Sequence, residues 1–495
     1  MNNNEIRPAE TVKKPKKKPE AEILLDRQLE MKDKTKRTDI AILACFCAFI
    51  LFFGVMFFIM PDKTYSETEK RTLKQAPDMS FSRIVSDLKR DLKLMTMTDE
   101  EKAAYKSEDN WSEVKAEAKT DASYSDYFAV FADEIGDYYA DQFPFRDQLR
   151  AVKAAAEIGL LKQENNDVLF AGSYLVKKDT VTGVVKGEDG KMRDRTPQDA
   201  AETIRSNVTM ISGIEKNLPD TVDIRTAIAG RTVDVARSKL PAIFPYESTH
   251  ADEYWATYSA AAAEAGITVV ELKDTLKERF EDGEYVYYKT DHHWTSLGAY
   301  YAYREIIASF GETPYELEDF DRQVYSKSFI GTSYAKAGAS FGGKDTIELF
   351  RFEGDKDFTT KITDSSGNVL TTLEAFYNED VYRDLNDKYS VFIGSDNSSD
   401  GGNNAVTLVT KNGETRKKLI LIKDSFGNSL VPFLARHFDL VILDMRVYSG
   451  DMQEFLSDPD LAHILVAYNM ETFMNDDNVT NAAARIIPYF RSLGK

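Results

Sequence analysis

The sequence predicts an α/β protein, a parallel sheet covered by helices on both faces, preceded by one N-terminal transmembrane helix. Three observations carry this expectation. Ile40–Met60 is an uncharged apolar run of twenty-one residues; strand-like and helix-like segments alternate from about residue 167; and the body behind the run is acidic and free of cysteine. At roughly 100 to 200 residues per domain, a 495-residue chain holds one large domain or two to three smaller ones. With 42% hydrophobic and 12% aromatic residues it can fill a core, which excludes wholesale disorder.

Residues 1–39 form a basic tail with eleven Lys/Arg against eight Asp/Glu. The chain's net charge is −19 and residues 40–60 are uncharged, so the part after residue 60 carries −22. An acidic body of this kind argues against a nucleic-acid binder. The run 40–60 matches the ~20 residues needed to cross a bilayer as a helix. Arg27, Lys32, Lys34, Lys36 and Arg37 crowd its N-terminal side and place the N-terminus in the cytoplasm, leaving the rest of the chain outside. A cleaved signal peptide is the rival, but the run is too long and no small-x-small site follows it. Cys45 and Cys47, the only cysteines, lie inside the run, so no disulfide framework, thiol catalysis or Cys-based zinc site is available to the body.

Residues 61–165 read as a stalk, to about residue 85, and then a helical region that Phe143-Pro144-Phe145-Arg146 divides into two helices. Residues 166–495 read as the main domain. Asp223–Gly230, Ile267–Leu272, Lys418–Lys423, Leu440–Met445 and His463–Tyr468 are the expected buried strands, and Glu202–Leu218 and Ala251–Gly266 the expected helices. The polar stretch at about 342–416 is an expected insertion with β-hairpins.

Two stretches can carry chemistry. In Tyr285–Gly298 (YVYYKTDHHWTSLG) an extended chain would put Asp291 and His293 side by side and turn His292 to the other face. Thr295 is a good N-cap for a helix running to Gly311. Asp291, His292 and His293 could also ligate a metal, but neighbours on opposite faces chelate one ion poorly and no HxxxH or HxH spacing supports it. In Lys418–Phe438 an apolar strand runs into Asp424-Ser425-Phe426-Gly427 and a helix is expected from Asn428 or Ser429, which places Ser425 where open α/β sheets bind ligands. Ser333, in Gly331-Thr332-Ser333, is a competing nucleophile without the flanking strand and helix. Ser425, His293 and Asp291 together supply the nucleophile, base and orienting acid of acyl transfer, a chemistry that needs no cofactor or metal.

These residues also resemble the DHHW family. DHHW at 291–294, SETEKR at 66–71, DQFPFRDQL at 141–149, KDSFGNSLVPFLARHF at 423–438 and LDMR at 443–446 carry the likeness. The family is similar to the AlgX and AlgJ alginate O-acetyltransferases, whose catalytic domain is a three-layer SGNH-hydrolase-like fold in which Asp-x-His precedes Ser in the chain. The resemblance implies a Ser425, His293, Asp291 triad in an exported bacterial O-acetyltransferase of the cell envelope, acting on a polysaccharide. It also implies a multispanning membrane O-acyltransferase partner that supplies acetyl groups. Lys423 stands where Gly precedes Asp-Ser in the usual SGNH block, and the 342–416 insertion is long. The backbone N–H of Ser425 is the expected oxyanion donor, with Asn469 and Arg446 as further candidates. Of Tyr287, Tyr288, Trp294, Tyr300 and Tyr301, Trp294 and Tyr288 are the expected sugar contacts, and Tyr300 and Tyr301 are assigned to the core. A carbohydrate acetylesterase of the same fold and a non-catalytic glycan-binding scaffold are the alternatives.

Overall fold

A computed structural model describes residues 19–77 and 124–494, apart from 67, 70, 179, 188–191, 339–342, 384, 386 and 396–403. The end of the stalk and the start of the helical region, at 78–123, lie outside the described residues. The chain divides into two units, Met1–Thr64 with Leu73–Arg146 and Tyr65–Thr72 with Asp147–Lys495.

In the first unit, α1 (Glu20–Ile59) begins well before the apolar run. Residues 20–59 contain no proline and one glycine, so nothing stops the helix between Pro19 and Pro61. Its Lys34–Ile59 part is long and apolar enough to cross a bilayer and is a candidate membrane anchor. Phe57 of α1 stacks on Tyr139 at 4.7 Å and Phe53 on Phe143 at 5.2 Å. These two partners lie at the end of α2 (Tyr124–Asp141) and in the turn that follows it.

In the second unit, α3 (Arg146–Gly159) starts just after the Phe143-Pro144 break. β1 (Val168–Ala171) and β2 (Tyr174–Lys177) form a hairpin. The strands of the main sheet and of one further pair are β3 (Asp223–Ala229), β4 (Val269–Val270), β5 (Asp321–Phe329), β6 (Asp345–Arg351), β7 (Phe358–Thr363), β8 (Val369–Glu374), β9 (Val406–Lys411), β10 (Lys418–Lys423), β11 (Asp439–Leu443) and β12 (Leu461–Asn469). β5 pairs with β6 separately. The others make one eight-stranded sheet in the order β8-β7-β9-β11-β10-β12-β3-β4. β11, β10, β12, β3 and β4 run parallel. β9, β7 and β8, from the segment at 342–416, extend the β11 edge with antiparallel pairing.

The further α-helices of six residues or more are α4 (Pro197–Glu215), α5 (Ala251–Ala265), α6 (Lys273–Glu281), α7 (Ser296–Ser309), α8 (Thr332–Ala337), α9 (Met470–Asn475) and α10 (Asn478–Ser492). Alternation along β10 makes the layers. Leu419 and Leu421 join one core with residues of α6 and α7, while Ile420 and Ile422 join a second with α4, α5 and α10. All four are fully buried, worth about 1.5–3 kcal/mol each against exposure. The fold is therefore the α/β sandwich that the sequence predicts. α4 starts five residues before the expected Glu202 because Thr196 and Asp199 form a capping box with Pro197 at the first helical position.

β10 has β11 on one side and β12 on the other, so the chain changes direction across the sheet at its carboxyl end. That is where open α/β sheets form a crevice.

Candidate active site

Lys423 ends β10, and Asp424 then turns the chain sharply. Its Oδ1 accepts the N–H of Phe426 at 2.9 Å and its Oδ2 accepts the N–H of Asn469 at 2.8 Å, which ties the turn to the end of β12. A 3-10 turn over Ser425–Leu430 and a one-turn helix, Val431–Leu434, follow. The helical backbone therefore begins at Ser425, earlier than the sequence suggests, because Asp424 supplies the cap. Gly427 is required by close approach: a Cβ there would stand 2.7 Å from Cβ of Lys423, whose buried stem passes beside the turn. Ser425 is partly exposed, and its own N–H donates to no group among the described residues.

The Tyr285–Gly298 stretch is not extended throughout. Tyr287 and Trp294 pair as an antiparallel bridge, and the chain between them folds back on itself. Asp291 makes the turn, since its Oδ1 accepts the N–H of His293 at 3.0 Å, a side-chain-to-backbone bond that mimics a backbone turn. The nearness of Asp291 and His293 thus comes from a turn rather than from strand alternation. His292 is not thrown to an opposite face; its ring centroid lies 3.9 Å from that of His293.

The two segments meet in a hydrogen-bonded row. Oδ1 of Asp291 lies 2.5 Å from Nδ1 of His293, and Nε2 of His293 lies 2.6 Å from Oγ of Ser425. An ionised carboxylate only accepts, so Nδ1 carries the proton and Nε2 is left as the acceptor facing the serine hydroxyl. Oδ2 of Asp291 accepts the N–H of Thr332 at 2.7 Å and its hydroxyl at 3.1 Å. Nδ1 of His292 lies 2.6 Å from that same hydroxyl. Trp294 joins the halves by donating from Nε1 to Ser429 Oγ at 2.8 Å and to the Phe426 carbonyl at 3.1 Å. Such a row can move a proton from a hydroxyl to an imidazole and back.

Ligand atoms of Asp291, His292 and His293 lie within 4.8 Å of one another, close enough for a metal. The same atoms make the hydrogen bonds just described, so an ion would have to displace the row.

The other expected site residues are placed as follows. Asn469 donates its side-chain amide to the Gly230 and Ala229 carbonyls at 3.0 and 3.3 Å, while its Oδ1 caps Glu471. Arg446 makes a two-pronged bond to Asp444. Trp294 and Tyr288 lie in the core at 2% and 0% exposure, packed with Tyr287 and Tyr300, because the folded-back loop turns them inward. Tyr301 is only half-buried and donates its hydroxyl to Glu284. Ser333 is buried one residue beyond Thr332. Three residues with no signal in the sequence reading shape the site: Thr332, Asp345 and Tyr389. Asp345, at the start of β6, accepts the N–H groups of Lys289 and Thr290 at 2.8 and 2.7 Å and so fixes the loop that precedes Asp291.

A buried charged group surrounds the other side of the turn. Burial lowers the Lys423 amine, opposed by Asp444, whose Oδ2 is 3.6 Å away. Burial also raises Asp444, but Lys423 and Arg446 outweigh it and hold its carboxyl below the usual range. Asp476 is raised by burial to about 6, with the charge of Asp424 adding to the effect. Its folded value lies above the ordinary 3.8, so the folded chain keeps a proton that the unfolded chain loses, and stability falls as pH rises from 3.8 to about 6. Asp476→Asn removes that cost. Thermal melts should show the variant a few degrees more stable than the wild type at about pH 7.5 and equal to it near pH 4. An equal gain at both values would show that titration is not the cause.

The fold and the row define an α/β protein with a serine, histidine and aspartate aligned at the sheet's carboxyl end. The family model described as DHHW protein matches residues 257–443, which bears out the resemblance and spans both segments of the row. Among solved structures, a DHHW family protein from Eubacterium siraeum is similar at 19% identity and a TM-score of 0.48, covering 61% of this chain and 95% of that one. PatB1 of Bacillus cereus, carrying a sulfonyl adduct, gives 18% identity and 0.47, covering 60% and 97%. The O-acetyltransferase domain of Pseudomonas putida AlgJ gives 13% identity and 0.35, covering 62% and 99%. No curated protein matches the sequence.

Proposed function

We propose that this chain is a membrane-anchored, extracytoplasmic O-acetyltransferase that modifies a cell-surface or exopolysaccharide through an acetyl-Ser425 intermediate. The observation that carries this reading is the row of Asp291, His293 and Ser425, with separations of 2.5 and 2.6 Å. The DHHW resemblance supports the choice of acetyl group and glycan. The candidate anchor and the basic residues on its N-terminal side support the location.

Oγ of Ser425 attacks the acetyl carbonyl of the donor as Nε2 of His293 takes its proton. The carbonyl electron pair moves onto oxygen, and the Ser425 N–H faces the resulting oxyanion. Collapse expels the donor's leaving group, which takes the proton from the imidazolium, and acetyl-Ser425 remains. A sugar hydroxyl then attacks the ester, losing its proton to His293, and collapse returns that proton to Ser425 Oγ. Asp291 holds the Nδ1 tautomer and stabilises the imidazolium throughout. Asn469 would add a second oxyanion donor only by giving up bonds it now makes, and Arg446 is held to Asp444, so the serine N–H is assigned that work. On this reading a multispanning membrane O-acyltransferase delivers the acetyl group, and residues 166–495 are the catalytic domain.

The test is mass spectrometry of the full chain after brief exposure to an acetyl ester, with and without an oligosaccharide acceptor. An acetyl adduct on Ser425 that moves to the sugar is the expected result. Acetate released to water with the sugar unlabelled would favour the esterase, and absence of any adduct would favour the scaffold.

A further inference from the structure

Tyr389, from the segment at 342–416, lies against both working residues of the row. Its ring stacks on the His293 imidazole with centroids 4.0 Å apart and planes 13° from parallel. Its hydroxyl donates to the Ser425 carbonyl at 3.1 Å, with Ser429 Oγ at 3.4 Å. A buried tyrosine is most often core, and Tyr389 does touch Tyr288 and Phe392 edge-on or tilted. Two features go beyond core packing. The flat stack places the negative π face over the ring that becomes positive when it accepts the serine proton. The hydroxyl bond then fixes the backbone that carries Oγ, so one side chain sets the spacing between two segments distant in sequence. Burial keeps the phenol neutral by raising its pKa well above the ordinary value.

We propose that Tyr389 is a positioning residue for acyl transfer, its ring face stabilising the His293 imidazolium and its hydroxyl holding Ser425 Oγ within reach of Nε2. The inference rests on the acyl-transfer reading of the row. The groups facing His293 are Asp291 at Nδ1, Ser425 at Nε2, and the rings of His292, Tyr389 and Phe426. Asp291 and His292 are the titratable neighbours besides Tyr389 itself, and both are unchanged in the variants below.

The experiment uses the full chain and p-nitrophenyl acetate as the probe, with Tyr389→Phe and Tyr389→Leu beside Ser425→Ala. Tyr389→Phe keeps the stack and loses the carbonyl bond, so kcat should fall about 3-fold with KM unchanged. Tyr389→Leu loses both, and kcat should fall about 30-fold. The acid limb of kcat/KM should move to lower pH in the leucine variant alone, because its protonated imidazole has lost the π face. The phenylalanine variant keeps the ring's shape and tests the hydroxyl even if the leucine variant does not fold. A leucine variant within about 2-fold of wild type in kcat, or one with an unmoved acid limb and a lowered melting temperature, would overturn the role assigned to Tyr389. If Ser425→Ala hydrolysed the ester at the wild-type rate, the acyl-transfer reading would fall and take this inference with it. An inactive Ser425→Ala beside an unaffected Tyr389→Leu would remove only the inference.

Discussion

Replacing Ser425 with alanine is expected to lower acetyl transfer by about 10⁴-fold or more, and His293→Ala should lower it by a similar factor. Each removes a group that no neighbour replaces. Without Oγ there is no ester to form, and without Nε2 the hydroxyl at 2.6 Å keeps its proton and remains a poor nucleophile. Residues that act as a unit do not add, so the double variant should be no worse than either single one. His292→Ala is the informative control. The His292 ring touches His293 and its Nδ1 meets the Thr332 hydroxyl, but it reaches Asp291 Oδ1 only at 3.6 Å and stands outside the row. Its loss should cost about 10-fold or less. Transfer to an oligosaccharide, measured for all four variants, checks the set. Equal loss at the two histidines would sink the assignment of His293 as the base, and a Ser425→Ala chain that still supports polysaccharide acetylation in cells would favour the scaffold.

The strands that carry the site were legible because a parallel strand buried on both faces has to be apolar along its length. Lys418–Lys423 reads that way and forms β10 over the same residues. Ile267–Leu272 reads similarly, but only Val269–Val270 pairs, since β4 lies at the sheet's edge with a single neighbour. Asp291, His293 and Ser425 were legible as residue types next to recognisable elements. The geometry that joins Asp291 to His293 was not, because a side-chain bond to a backbone N–H two residues on leaves no mark in hydrophobic periodicity. Thr332, Asp345 and Tyr389 were hidden for a related reason. Each acts through one or two long-range hydrogen bonds or a stack, and single residues in polar or irregular stretches carry no pattern that fixes their distant partners. The segment at 342–416 shows the same limit. Its strands read as local hairpins, and β7 and β8 do pair in that way, but β7 also pairs with β9 and β9 with β11, the neighbour of the strand that carries Ser425.

Gly331→Ala is expected to disable the site without substituting any of its three reacting residues. A Cβ on Gly331 would stand 2.1 Å from Cβ of Asp291, 2.5 Å from its Cα and 2.4 Å from its Oδ2. Two of those contacts are to atoms at the root of the side chain, so no rotamer of Asp291 relieves them. Gly331 is itself pinned, because its N–H donates to the Thr290 hydroxyl at 3.0 Å and its carbonyl, at the start of α8, accepts the N–H of Ala335. Backbone on one side or the other must therefore move, at about 1–3 kcal/mol or more of stability. The move separates Asp291 from the Thr332 N–H that orients its carboxylate. A displacement near 1 Å at a reacting constellation costs about 10²-fold in rate, so kcat on an acetyl ester should fall by at least that factor while the melting temperature drops by several degrees. Thr332→Val separates the hydroxyl from the backbone: it removes the 3.1 Å bond to Oδ2 and the 2.6 Å contact with His292 Nδ1, keeps the N–H bond, and should cost about 10-fold or less. A Gly331→Ala chain with wild-type turnover and melting behaviour would mean that Asp291 is not held against Gly331 in the working protein, and the geometry assigned to the acid of the row would have to be withdrawn.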